Sequence, residues 1–225
     1  MLLLAHRGYH ASLPENTMAA FAAATRLGVD GIETDVRLSA DGEAVIMHDR
    51  VTPRKRAVAE LTRCEIEHDV GHPVPLLAEV LDAFSGVLWN VEIKTPDALP
   101  AVLAVLRRYG GKCRLFITSF RHDVAAEIAR QIAVDCGLLL AHRPLDVAAI
   151  IAGCAAWPRI KAIVWDYSIV DAAALQAVEH GGWQNYVYGA ITPAEHERCA
   201  QLGLAGLITD YPLQVLARQA PAGEA

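Results

Sequence analysis

The sequence predicts an α/β fold, a single (β/α)8 TIM barrel with a short insertion after strand two. Three observations point there. Short apolar, β-branched runs alternate along the chain with alanine- and leucine-rich stretches of helical periodicity, and that alternation builds a parallel sheet. The 225 residues divided by eight leave about 28 per unit, enough for one strand, one helix and two short loops. No Gly-x-Gly-x-x-Gly follows the first strand, so the dinucleotide fingerprint of an open doubly wound sheet is missing. One domain is expected over residues 1–225.

Taken in order, the first strand is expected at Leu2–Arg7 and the first helix at the alanine-rich Thr17–Leu27. The second strand is Gly31–Leu38. Residues 44–75 break the rhythm, with a β-like run at Ala44–His48 and then a charged stretch containing Arg50, Arg54, Lys55, Arg56, Glu60, Arg63, Glu65 and Glu67. This is read as an enlarged loop on the C-terminal face of the barrel, where barrel enzymes place their active sites. Helix Leu76–Phe84 follows a proline, and strand Leu88–Lys94 leads into helix Ala98–Tyr109. Strands Arg114–Ser119, Cys136–Ala141, Ala162–Tyr167, Asn185–Ala190 and Gly206–Asp210 then alternate with helices His122–Gln131, Leu145–Cys154, Asp171–His180, Pro193–Leu202 and Leu213–Gln219.

Composition narrows the class of function. Hydrophobic residues at 53% and charged residues at 20% exclude a disordered chain. A net charge of −6 and a pI near 5.8 argue against a nucleic-acid partner, whose footprint is basic. The uncharged run from Val147 to Trp157 is far short of the roughly 20 residues a bilayer span needs. The apolar N-terminal run stops at His6, too early for a secretory signal. The 5 cysteines are scattered without a Cys-x-x-Cys pair and are read as reduced, buried thiols of a cytoplasmic protein. Apolar helix positions are accounted for by packing on the barrel, so no protein partner is deducible.

Within Gly31-Ile-Glu-Thr-Asp-Val-Arg-Leu38, strand alternation puts Ile32, Thr34 and Val36 on one face and Glu33, Asp35 and Arg37 on the other. The apolar face suits the surrounding helices, so both carboxylates point into the barrel mouth. In Leu88-Trp-Asn-Val-Glu-Ile-Lys94, Glu92 and Lys94 share the inward face. Buried like charges are costly unless a positive group joins them. Two readings are open: a hard divalent cation such as Mg²⁺ or Ca²⁺, or an internal ion-pair network with Arg7, Arg37 and Lys94. His6 ends strand one and His48 ends the Ala44–His48 run, both at positions suited to catalysis. Two imidazoles, three carboxylates, an arginine and a lysine at one mouth suit phosphate chemistry.

These residues carry a resemblance. Ala5-His-Arg-Gly8, Pro14-Glu-Asn-Thr17, Glu33-x-Asp35, His48-Asp49, Val91-Glu-Ile-Lys94 and Ile208-Thr-Asp-Tyr-Pro212 fall in one order along nearly the whole chain. Together they resemble the glycerophosphodiester phosphodiesterase family. The resemblance implies a (β/α)8 barrel that hydrolyses small-molecule glycerophosphodiesters to glycerol 3-phosphate and an alcohol with a divalent metal. It implies His6 and His48 as the acid/base pair, Glu33, Asp35 and Glu92 as metal ligands, and Arg7 and Lys94 as cations for the phosphate. It also implies a two-step route, in which a glycerol hydroxyl attacks phosphorus and water then opens the cyclic phosphate. Glu15 would stand beside the active site, while Asn16 or Thr17 also reads as a helix cap. Ser119, followed by Phe120, is expected to line the mouth. Tyr188-Gly-Ala-Ile-Thr192 replaces the family's Trp-Thr-Val-Asn-like strand ending, and Tyr188 is expected to wall the glycerol. Asp166 reads either as a mouth residue or as a cap.

Overall fold

In the computed structural model, which describes residues 1–219, strands alternate with helices along the chain; residues 220–225 of the expected domain lie outside the described residues. The strands are β1 (Leu2–Ala5), β2 (Gly31–Leu38), β3 (Ala44–Ile46), β4 (Leu88–Ile93), β5 (Arg114–Ser119), β6 (Asp135–Leu140), β7 (Ile160–Asp166), β8 (Gln184–Tyr188) and β9 (Gly206–Thr209). Parallel pairing runs from β1 through β9, β8, β7, β6, β5 and β4 to β2, and β2 pairs back with β1, closing an eight-stranded barrel. The short β3 lies outside that ring as an antiparallel hairpin partner of β2. The helices are α1 (Met18–Leu27), α2 (Arg63–Val70), α3 (Leu77–Ala83), α4 (Leu99–Tyr109), α5 (His122–Gln131), α6 (Val147–Gly153), α7 (Ala172–His180), α8 (Pro193–Gln201) and α9 (Pro212–Gln219). Each barrel strand is followed by one helix, so the (β/α)8 expectation holds, and α2 is additional.

Strand periodicity makes two cores. Outward residues such as Ile32, Val36, Trp89, Val91 and Ile163 pack against the helices, with Trp89 set edge-on to Phe21 at 5.1 Å between ring centroids. Inward residues Leu4, Leu88, Phe116, Leu139, Val164, Tyr186 and Ile208 plug the barrel. Phe116 and Tyr186 stack at 4.9 Å and 26°. Glycines leave room for the two rings: a Cβ on Gly137 would meet the Phe116 ring at 2.6 Å, and one on Gly206 the Tyr186 ring at 2.5 Å. This dry plug is the floor on which the polar mouth is built.

Two expectations need correction here. Residues 44–75 are not an enlarged loop but a folded unit: β3, a 3-10 turn at Val58–Glu60 and α2, closed over Val45, Val58, Leu61, Ile66 and Val74. Thr62 and Glu65 cap α2 reciprocally. The buried Asp69 carboxylate accepts from Thr52 Oγ1 at 2.7 Å and from Arg56 at 2.8 and 2.6 Å. The basic run is thereby tied down in part, with Arg54 Nε also 3.6 Å from Asp69. The second correction concerns the thiols. All five are free, but only Cys113, Cys136 and Cys199 are buried, while Cys64 is exposed and Cys154 half-buried. No described helix is long and apolar enough to cross a membrane.

Candidate active site

The end of β1 turns sharply. Arg7 (φ 55°) and Gly8 (φ 82°) are both left-handed. A Cβ at Gly8 would lie 2.8 Å from the Ala20 backbone, so the turn presses directly on α1 and admits only glycine there. The strained Arg7 backbone donates to Glu33 Oε2 at 3.1 Å. Its guanidinium spans two acids, with Nε 3.3 Å from Asp35 Oδ2 and Nη1 2.9 Å from Glu15 Oε1. His6 donates from Nδ1 to Asp210 Oδ1 at 2.7 Å, and its Nε2 stands 3.8 Å from Glu33 Oε2. His10 Nε2 meets the same Asp210 oxygen at 3.0 Å. Burial works to raise the Asp210 carboxyl, but the two imidazoles outweigh it and hold the group far below its ordinary value.

Register sets the acid cluster. Asp35 on β2 lies directly beside Glu92 on β4, and Glu33 sits two residues back on the same face. Glu33, Asp35 and Glu92 are 3%, 0% and 7% exposed, and each offers one oxygen within 4.8 Å of the others. Lys94 Nζ approaches Asp35 Oδ1 at 3.0 Å and Glu92 Oε1 at 2.7 Å. Burial, then the charges of Asp35 and Glu92, push the Glu33 carboxyl well above its ordinary value. Burial also tends to raise Asp35, but Lys94 and Arg7 prevail and keep it low. Three carboxylates thus face two cations, one of them shared with Glu15. Three buried carboxylates that keep an excess of negative charge, with one oxygen from each gathered within 4.8 Å, fit a hard divalent cation.

Asn16 fixes this cluster from behind. It is left-handed (φ 56°), accepts from Thr34 Oγ1 at 2.8 Å and donates from Nδ2 to Asp35 Oδ2 at 2.8 Å. The capping alternative falls to Thr17 alone, whose hydroxyl accepts from Ala20 N. His48 follows β3, with Nδ1 2.9 Å from Asp49 Oδ1, and its carbonyl accepts from Arg37 Nε at 2.8 Å. Burial lowers the His48 imidazole, against the pull of Asp35, so the neutral ring is favoured.

A cavity of about 160 Å³ opens at this mouth. His6, Arg7, Glu33, His48, Glu92 and Lys94 line one side, and Phe120, Leu139, Tyr188 and Ile208 the other. Asn90 and Thr118 lie at the floor, joined by a 2.8 Å hydrogen bond. Most of the residues singled out from the sequence therefore meet. Three do not line the cavity: Asp35, fully buried behind it, and Ser119 and Glu15. Ser119 is fully buried, and its hydroxyl donates to Ile93 O at 2.6 Å and accepts from Arg121 N at 3.0 Å, so Phe120 takes the lining position instead. Glu15 faces an adjoining cavity and touches the site through Arg7. Asp166 caps a short turn, accepting from Ser168 N at 2.8 Å. Sequence reading assigned no role to Asp210, His10 or Asn90. Asn90 had a signal, because it shares the inward face of β4 with Glu92. Asp210 had one too, as a charged residue at the end of a barrel strand.

Fold and site define the class: a barrel enzyme whose mouth gathers acids, imidazoles and cations around one anion-sized cavity. A model of the glycerophosphoryl diester phosphodiesterase family matches residues 6–214, and the chain belongs to that family, whose reaction is hydrolysis of glycerophosphodiesters. A glycerophosphodiester phosphodiesterase of Caldanaerobacter subterraneus is 28% identical over 239 residues, covering 94% of each chain. Among solved structures, a phosphodiesterase of Oleispira antarctica superposes with a TM-score of 0.87 at 20% identity, over 98% of this chain and 97% of that one. The glycerophosphodiester phosphodiesterase of Thermotoga maritima gives 0.83 at 24% identity, over 97% and 98%.

Proposed function

We propose that the protein cleaves glycerophosphodiesters to glycerol 3-phosphate and an alcohol, with a divalent metal (Mg²⁺ or Ca²⁺) on Glu33, Asp35 and Glu92 and with His6 and His48 as the acid/base pair. One observation carries this reading: both imidazoles line the cavity that the acid cluster enters. His6, with Nδ1–H given to Asp210, keeps Nε2 for a proton. His48, oriented by Asp49, keeps its own Nε2. Arg7 and Lys94 meet the phosphate oxygens, and Glu15 holds the Arg7 fork in place. Tyr188, set edge-on to Phe120 at 6.0 Å, packs on the glycerol carbons. The bound metal would neutralise charge developing on the phosphoryl oxygens. The Oleispira antarctica relative was solved with sn-glycerol-3-phosphate, which supports the product named here. The chain is proposed to act as one barrel domain in the cytoplasm, in keeping with its five free cysteines.

The test is hydrolysis of glycerophosphoglycerol and glycerophosphoethanolamine after EDTA and after adding back Mg²⁺, Ca²⁺ or Mn²⁺, with glycerol 3-phosphate as readout. Release restored by an ion is expected. No release with any ion would overturn the reading. A second reading, headgroup release from lysophospholipids, is favoured by the exposure of Phe120, Leu145, Ile191 and Tyr211 in the loops after β5, β6, β8 and β9, and of Leu213 in the first turn of α9. Preference for lysophosphatidylcholine over glycerophosphocholine would establish it.

A further inference from the structure

A second cavity, about 320 Å³, lies beside the catalytic one on the side of the folded insertion. Its polar wall is Arg37, Arg50, Thr95 and Asp97. The chain itself joins the two cavities. Lys94 lines the first and Thr95 the second, and the carbonyl of His48 is bonded to Arg37 Nε at 2.8 Å. Arg37 is two residues beyond Asp35 on the same face of β2, so it stands about 7 Å further out along the strand. A phosphodiester whose phosphorus sits at the acid cluster can therefore send one ester arm towards Arg37 and Arg50.

Among the described residues, the Arg50 charge on this wall is uncommitted, and Arg37 keeps its Nη groups free. Arg54 and Arg56, the neighbouring cations of the insertion, are paired with Asp69. The Arg50 side chain has no hydrogen bond or ion pair among the described residues, and Arg37 uses only Nε. Arg37 is attracted first by Asp35, Glu92 and Asp49 on the catalytic side and then by Asp97, with no ion pair to any of them. Within the cavity's own lining, two guanidinium forks meet one carboxylate, with a hydroxyl from Thr95 and apolar surface around them. Guanidinium forks suit carboxylates and phosphates, which they hold with paired N–H groups. A quaternary ammonium would want aromatic faces. None lines this cavity, and Phe120 and Tyr188 lie on the far side of the mouth.

We propose that this cavity is the subsite for the departing alcohol and that it selects an alcohol carrying a second anionic group, a carboxylate or a phosphate, held by Arg37 and Arg50. Asp97 is placed to meet an ammonium on the same arm, as in a serine headgroup. The assignment rests on the catalytic reading above. The test compares kcat/KM for glycerophosphoserine, glycerophosphoinositol phosphate, the neutral glycerophosphoglycerol and glycerophosphocholine. Both anionic arms should exceed the choline arm, and the better of the two tells carboxylate from phosphate. Arg50→Ala should lower the ratio of anionic to neutral substrate at least about tenfold, the usual worth of one charge-assisted hydrogen bond. Arg50→Lys should restore part of that ratio. A ratio unmoved by Arg50→Ala, or a preference for the choline arm, overturns the subsite while leaving hydrolysis intact. Failure to cleave even glycerophosphoglycerol with any ion would instead bring down the catalytic reading, and the subsite with it.

Discussion

The two sides of the barrel mouth are built by different physics. On one side, β1, β2, β4 and the insertion bring His6, Arg7, Glu33, His48, Glu92 and Lys94, with Asp35 behind them. On the other side, β5, β6, β8 and β9 bring Phe120, Leu139, Tyr188 and Ile208. The first side is a web of buried charges, each held by another: Asn16 on Asp35, Lys94 on Glu92, Glu15 on Arg7. The second side is shaped by packing on the plug below. Asp210, at the end of β9, crosses the divide to orient His6. The charged side should therefore govern the chemical step, and the apolar side should govern how substrate sits.

That division can be broken most directly at the histidines. His6→Ala and His48→Ala should each cost about 10²- to 10⁴-fold in kcat, the range of general acid/base catalysis, with an unchanged circular-dichroism spectrum. Wild-type turnover in either variant would remove that residue from the chemistry. Next in size, Asn16→Gly keeps the left-handed backbone but withdraws the amide from Asp35. Metal affinity measured by titration calorimetry should fall about 10- to 100-fold, as when an outer-shell partner is lost. Unchanged affinity would mean that Asp35 needs no orientation from behind.

A smaller effect separates structural from catalytic charge on the same side. Hydrogen bonds from Arg56 and Thr52 bring the Asp69 carboxyl down to about 2, below its unfolded value. Its contribution to stability is therefore full above the unfolded value of about 3.9 and disappears as pH falls through about 2. Asp69→Asn should lower Tm at neutral pH, and the gap to the wild type should close as the pH drops across that window. A gap independent of pH would assign the loss to packing. The mildest change is expected on the apolar side, where Phe120→Ala should raise KM and leave kcat alone. An equal drop in kcat would erase the contrast between the two sides.

The comparison also explains what could be read beforehand. Glu33, Asp35, Glu92 and Lys94 were legible because a strand has period two, and carboxylates on a face destined for the interior stand out. The alternation of strand and helix runs was legible for the same local reason. Ser119 was misplaced because strand alternation sets it on the outward face of β5 with Ile117, where its hydroxyl goes to the Ile93 carbonyl, while Phe116, Thr118 and Phe120 share the inward face. Helix α2 was missed because it buries only Ile66 and Asp69, too little to write a helical stripe into the sequence. Its Thr62-x-x-Glu65 cap was the signal available.

By itself, then, the sequence determined the strand–helix order, the inward acids and the two histidines at strand ends, since these follow from short-range periodicity and from the placement of polar residues at element boundaries. Only the tertiary structure decided which groups complete them. Asp210 reaches His6 across 204 positions because closing the barrel sets β9 against β1. Asn16 turns to Asp35 because the Arg7–Gly8 bend lays that loop over the mouth. Arg37 and Arg50 come to one cavity because the insertion folds back on β2 through β3. Contacts of that kind depend on chain closure and on the angle of a turn, and neither is written in the local pattern of residues.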